Sequence, residues 1–395
     1  MNRLKAVISY FSSFYKPIVI IYCVVVVAVS LQQLLSSDKV FDLSGQTYTE
    51  YNNYIIFKQA YFHLVDQKDL YSLYLNEQWD LFKYSPAFAL FFGALAYLPD
   101  GLGLLGWNML NAFCLFFAIK KLPNTNDKTK IAILFYVLIE LVTSLQNSQS
   151  NALMAGLLIL AFVFFETEKI FLACLCITLT VFIKIFGLVA FAIAIFYPNK
   201  IKTICYSVTC FIGFTFVPLV VIPIEQLIFL YKSWWGLLID DHTSSYGLSM
   251  LGWLNTWFGF NGNKNLVVLI GLFVFLLPLI RVNEYKTFLF RVSFFCSLLI
   301  WMVIFNHKAE SPTFIIAVSG IAIWYYFKSN SRWDEKLLIM LAFVFTCLSP
   351  TDLFSASVQS HFFDPYAIKV APCIFVWFKI TYDLQFRNFQ PQLLE

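Results

Sequence analysis

Three lysines, five carboxylates and two amides stand out where the chain otherwise avoids polar side chains. They are Lys83, Lys184 and Lys308; Glu50, Asp80, Asp240, Asp241 and Glu310; and Gln149 and Asn151. A lysine ammonium is a point charge that suits a phosphate. Carboxylates, amides and aromatic faces such as those of Trp234 and Trp235 suit a sugar. A carboxylate beside an acceptor hydroxyl can take its proton as general base. Together these residue types would serve the transfer of a sugar from a phosphate carrier. Each also has a plainer reading. Lysines at helix ends snorkel to the membrane interface, a Trp pair belongs to an aromatic belt, and His307 could be a solvated loop residue. The run Asn306–Ser311 is harder to dismiss, because His307, Lys308 and Glu310 sit between two apolar segments that a minimal turn would join. No zinc-type ligand spacing, P-loop or dinucleotide fingerprint occurs, so no cofactor and no metal-ligand set is expected, and dependence on a divalent metal stays open.

The elements that must position these residues are membrane helices. The chain has 395 residues, 60% hydrophobic and only 13% charged, where soluble domains carry about 25% charged residues. An all-α polytopic membrane protein is expected, as one integral domain over residues 1–395. A net charge of +4 gives no support to a nucleic-acid partner. The nine cysteines form no CxxC pair, and Cys174, Cys176, Cys205, Cys210 and Cys296 lie in apolar runs, so they read as small hydrophobes.

Hydropathy predicts about 12 spans. Arg3, Lys5 and Lys16 flank the first, 17–36, which reads as an uncleaved anchor with a cytoplasmic N-terminus. Basic residues then place 120–130, 281–287 and 328–336 in the cytoplasm, along with the C-terminus. The loops 37–85, 223–264 and 306–311 fall on the outer face. Residues 86–98 are too short to cross and read as re-entrant, making one net crossing with 101–119. Within the first outer loop, Tyr54, Phe57, Tyr61 and Leu64 recur with helical spacing. An amphipathic helix there would lie on the membrane. A second short helix is expected over Tyr71–Trp79, and Pro86 suits a first helical position. Charge at mid-bilayer costs about 2.5–3.5 kcal/mol per residue on insertion scales. The collection of polar residues on outer connections therefore suggests a cavity at that face.

The order of several short motifs resembles the polyprenyl-phosphate-sugar-dependent glycosyltransferases of the GT-C superfamily, in particular family 87, which includes bacterial mannosyltransferases. The resemblance covers most of residues 40–330. Phe57, Ala60 and Leu70-Tyr71 fit the family's first loop, and Tyr84-Ser85-Pro86 fits its Tyr-x-Pro. Leu98-Pro99 and Trp107 follow. Ser148-Gln149-Ser150-Asn151 matches Gly-Gln-x-Asn with Ser in place of Gly. Lys184-Ile185 matches Lys-Pro without the Pro, and His307 matches a late His. The family's first-loop Asp, its catalytic base, falls on Asn53. An amide cannot take a proton in that role.

The resemblance implies a GT-C-like fold and transfer of a hexose, such as mannose, from a polyprenyl phosphate. The acceptor would be a glycan or lipid of the cell envelope, at the outer face of a bacterial inner membrane. Glu50 becomes the first choice of base and Asp80 the second, with Asn53 orienting a hydroxyl. Lys58, Lys83, Tyr84, Gln149, Asn151, Lys184, His242, His307, Lys308 and Glu310 are expected to bind substrate. Two other readings compete: a transporter or flippase, and a non-catalytic relative that binds a lipid-linked glycan. Transporters tend to carry internal repeats, and none is visible here.

Overall fold

A computed structural model describes residues 15–40, 46–241, 246–328 and 330–389. Arg3, Lys5 and the candidate His242 lie outside the described residues, as does the side chain of Asp241. Helix dominates, and strand is confined among the described residues to one short hairpin, Lys39–Val40 with Thr47–Tyr48. The helices are α1 Lys16–Leu35, α2 Asn52–Val65, α3 Pro86–Ala96, α4 Asp100–Lys120, α5 Asp127–Gln146, α6 Asn151–Glu166 and α7 Ile170–Ile183. A 3₁₀ helix, Ile185–Phe196, precedes α8 Lys200–Phe216, α9 Ile224–Asp241, α10 Met250–Phe258 and α11 Lys264–Leu276. The chain ends with α12 Phe288–Ile304, α13 Phe314–Tyr326, α14 Trp333–Leu341 and α15 Ala371–Phe386. This is the all-α polytopic architecture that the composition demands. Four helices, α1, α4, α5 and α8 extended to Val220, are long and apolar enough to cross a membrane, and seven shorter apolar ones accompany them.

A helix apolar all round belongs in the middle of a bundle. α12 and α13 are of that kind, buried almost continuously from Phe294 to Ile304 and from Phe314 to Trp324. α8 is the opposite: Thr203 and Cys210 are its buried residues, and its remaining surface is free to face lipid. Gly156 lets α6 cross α4 closely, since a Cβ there would come within 2.7 Å of the Cys114 backbone.

α3 and α4 make one passage through the bundle, as their lengths predict. Ser85 caps α3, its Oγ accepting from Phe88 N–H at 3.2 Å, with Pro86 in the first turn. The same Oγ donates to the Phe182 carbonyl at the end of α7 (2.6 Å). Past the other end of α3, Lys58 of α2 donates to the Leu98 carbonyl and pairs with Asp100 at 2.6 Å. Both ends of α3 thus lie at the end of the bundle that carries the first loop. α4 then runs to the opposite end, where Lys120 stands 4.4 Å over the Tyr15 ring and Tyr15 donates to Asp127.

In the first loop α2 forms where the apolar spacing places it. Tyr54, Phe57, Ala60 and Leu64 are buried, while Tyr61 stays at the edge. Phe57 meets Tyr84, Phe88, Phe92 and Trp107 edge to face, with centroids 4.8–5.5 Å apart. Each such pair contributes roughly 0.5–1.5 kcal/mol beyond its area. The second helix expected over Tyr71–Trp79 is absent, and turns replace it. Asp69 is the reason. Its carboxylate accepts from Tyr71 N–H (3.2 Å) and Ser72 Oγ (3.1 Å), and Tyr74 donates to its carbonyl. Local side-chain bonds of this sort replace helical ones.

Candidate active site

Four side chains from three parts of the chain form a hydrogen-bonded line. Lys184 Nζ donates to Asn151 Oδ1 at 2.8 Å, Asn151 Nδ2 to Gln149 Oε1 at 2.6 Å, and Gln149 Nε2 to Glu310 Oε2 at 2.7 Å. An ammonium only donates and a carboxylate only accepts, so the two ends fix the direction of both amides. Among the described residues no cation pairs with Glu310, and no carboxylate pairs with Lys184.

The helix ends hold this line. Lys184 occupies the extended break between α7 and the 3₁₀ helix, with φ −141° and ψ 124°. Twelve residues of 3₁₀ helix are an unusual length. They reach roughly 24 Å, where an α-helix of that length reaches roughly 18 Å. Gly187 seats this helix against α7, because a Cβ there would lie 2.4 Å from Thr180 Oγ1. Asn151 is the first residue of α6, and Gln149 sits in the turn before it. That turn needs Ser148 at φ +48°, a left-handed conformation that costs a non-glycine residue about 1 kcal/mol. Three contacts hold it. Ser148 N–H donates to the Leu145 carbonyl (2.8 Å), Trp107 Nε1 to the Ser148 carbonyl (2.8 Å), and Gln33 Nε2 to Ser148 Oγ (2.7 Å). Glycine would adopt this φ freely, which gives the Ser-for-Gly exchange its physical meaning. Gln33 and Asn108, joined at 3.3 Å, were not among the expected site residues. A polar pair in apolar spans was the signal for them.

Glu310 is fixed by the 3₁₀ turn Ser311–Thr313. Its N–H donates to Thr313 Oγ1, and Thr313 N–H donates to its carbonyl at 2.9 Å. His307 and Lys308 share this loop, and both are half-buried. The chain after α9 packs on it: Leu248 N–H donates to the Ala309 carbonyl at 2.9 Å. Gly247 has φ +53°, and a Cβ there would approach the His307 carbonyl oxygen to 2.5 Å.

Tyr84 is buried, and the Lys184 ammonium lies 5.9 Å from its ring centroid. Tyr71 donates to the Tyr84 carbonyl (3.0 Å) and Trp234 Nε1 to the Lys83 carbonyl (3.2 Å). Lys83 pairs with Asp80 at 3.0 Å, and Leu81 N–H donates to the other Asp80 oxygen. Burial pulls the Lys184 ammonium down to about 8; Glu310 opposes this and Lys83 adds to it.

The other first-loop candidates go elsewhere or only reach the margin. Asn53 Nδ2 donates to the Asn147 carbonyl at 2.9 Å, so it touches the turn that carries Gln149. Glu50 pairs with Lys39 of the hairpin at 2.6 Å and makes no bond to the line. Lys58 fastens α2 to Asp100. Trp235 is 60% exposed and lines an open groove of about 610 Å³. Phe216, Ile224, Ile228 and Tyr231 line that groove with it. No group of three or more metal-ligating side chains occurs among the described residues.

A sequence profile of glycosyltransferase family 87 matches residues 82–305. The match takes in Lys83, Tyr84, Gln149, Asn151 and Lys184 and stops before His307, Lys308 and Glu310. No curated protein matches the chain. A bundle of apolar helices, an ammonium and a carboxylate held apart by two amides, and a family match over more than half the sequence lead to one conclusion: the chain belongs to glycosyltransferase family 87.

Proposed function

We propose that the protein transfers a hexose, with mannose the first candidate, from a polyprenyl phosphate to an envelope glycan or lipid at the outer face of the cell membrane. The observation that carries this reading is the line from Lys184 to Glu310. It offers a cation for the phosphate and a separate carboxylate near the sugar and acceptor, with amides between them for hydroxyl groups. Lys308 and His307, in the same loop as Glu310, are further candidates for the phosphate.

The donor's apolar tail would lie in the groove between α8 and α9. Its wall residue Tyr231 is a neighbour of Trp234, whose indole holds the Lys83 carbonyl. The outer-face assignment rests on charge. Arg291 with Glu166, Lys328 with Glu335, and Arg281 with the Leu384 carbonyl all gather at the other end of the bundle. Basic residues favour the cytoplasmic side, so both termini would be cytoplasmic.

Purified protein with a radiolabelled polyprenyl-phosphate hexose and a membrane glycolipid extract tests the reading. Label should move to the acceptor without a nucleotide sugar. Donor binding without any transfer, across hexoses and acceptors, would instead support the non-catalytic reading that Asn53 raises.

A further inference from the structure

We infer that Glu310 is the general base of the transfer, a role that the amide of Asn53 cannot fill. The inference rests on the donor assignment above. Three carboxylates can be compared directly. Glu50 is closed by Lys39 at 2.6 Å, and Asp80 is closed by Lys83 and by Leu81 N–H. Glu310 differs in three ways. It is exposed, no lysine or arginine pairs with it among the described residues, and its side chain accepts from the neutral Gln149 amide. That contact holds one oxygen and leaves the carboxylate facing solvent.

The geometry also couples this carboxylate to the leaving-group site. Gln149 and Asn151 space Glu310 from the Lys184 ammonium by two amide side chains. Direct contact would have neutralised both groups, as at the opposite end of the bundle. Held apart, each keeps its charge for a different part of the substrate. In the step, the acceptor hydroxyl oxygen attacks the anomeric carbon while a Glu310 oxygen takes the hydroxyl proton. The bond from the anomeric carbon to the phosphate oxygen breaks, and its electron pair leaves on polyprenyl phosphate beside Lys184. The sugar inverts at the anomeric carbon, and Glu310 later returns its proton to water. Gln149 is a positioning residue in this scheme, since it aims Glu310 without touching the reacting atoms.

The test compares transfer and donor binding in Glu310→Gln, Glu310→Asp, Glu310→Gly and Glu50→Gln. Glutamine can still accept from Gln149, so the loop keeps its shape. Glu310→Gln should turn over roughly 10²–10⁴-fold more slowly and bind polyprenyl phosphate, followed by tryptophan fluorescence, within about threefold of the unmodified protein. Glu310→Asp should fall between the two. Formate should restore part of the turnover of Glu310→Gly, a result that a merely structural role does not give. Near-full turnover in Glu310→Gln, or the whole loss appearing in Glu50→Gln, would overturn the assignment of the base alone. No transfer by the unmodified protein would overturn the donor assignment and this inference with it.

Discussion

At the end of the bundle away from the site, opposite charges touch. Arg291 holds Glu166 through two hydrogen bonds of 2.7 Å, Lys328 reaches Glu335 at 2.5 Å, and Arg281 reaches Glu284 at 3.0 Å. Within the bundle, Lys369 likewise meets Glu140 at 2.5 Å, with both side chains almost wholly buried. At the site, Lys184 and Glu310 are instead joined through Asn151 and Gln149 and never touch. A closed pair satisfies its own charges and fixes helices relative to each other. A divided pair leaves a cation and an anion that substrate can complete. Lys39–Glu50, Lys83–Asp80 and, between the first loop and the start of α4, Lys58–Asp100 also belong with the closed pairs.

Removing one member of a buried closed pair should have the largest effect on stability. Arg291→Met leaves Glu166, whose side chain is only 5% exposed, with Tyr197 as its remaining hydrogen-bond donor. A loss of roughly 3–5 kcal/mol is expected, read by thermal unfolding in detergent. Transfer per folded molecule should hardly change. A large loss of turnover at unchanged stability would erase the contrast between the two ends.

Lys184→Met should show the reverse balance. A hydrogen bond to a charged group contributes about 1.5–3 kcal/mol, so donor affinity should fall roughly ten- to a hundredfold. Its melting point should move less than that of Arg291→Met. Equal donor affinity in the variant and the unmodified protein would remove Lys184 from the site.

Smaller effects probe the strained turn between the two charges. Trp107→Phe removes the indole donor to the Ser148 carbonyl. It should lower stability by about 1 kcal/mol and raise the donor KM a fewfold. Ser148→Gly relieves the positive φ and loses the Gln33 contact, two terms of similar size, so its melting shift should correspond to less than about 1 kcal/mol. A loss well beyond that would mean that Ser148 acts through its hydroxyl.

The helices were legible because apolar length and periodicity report directly on burial. α2 follows from Tyr54, Phe57 and Leu64, and the short helix 86–96 follows from its length and its Ser85-Pro86 start. Lys184, Gln149, Asn151 and Glu310 could each be picked out as polar groups at the ends of apolar runs. Their pairing could not, because a bond such as Gln149 to Glu310 spans 161 residues and depends on how helices stack. Asp69 hid the turns at 71–79, since its capping bonds compete with a helix whose residues have fair propensity. Glu140 and Lys369, 229 residues apart, look like isolated charges in the sequence and show their partnership only in the fold. Glu50 illustrates the converse. Its place near Asn53 suggested a base, while its ion pair with Lys39, eleven positions earlier, shows only in the fold.

The pH dependence of donor capture tests most directly whether the divided charges meet the donor. The free-enzyme kcat/KM for donor reports the protonation of the uncomplexed site. The Lys184 ammonium, lowered by burial to about 8, is present below that pH and lost above it. A sugar phosphodiester has no proton to lose in this range. kcat/KM should fall above about pH 8, by up to tenfold per unit, and Lys184→Arg should lack that fall because guanidinium stays charged. A flat profile between pH 7 and 9 in the unmodified protein, or the same fall in both proteins, would contradict it.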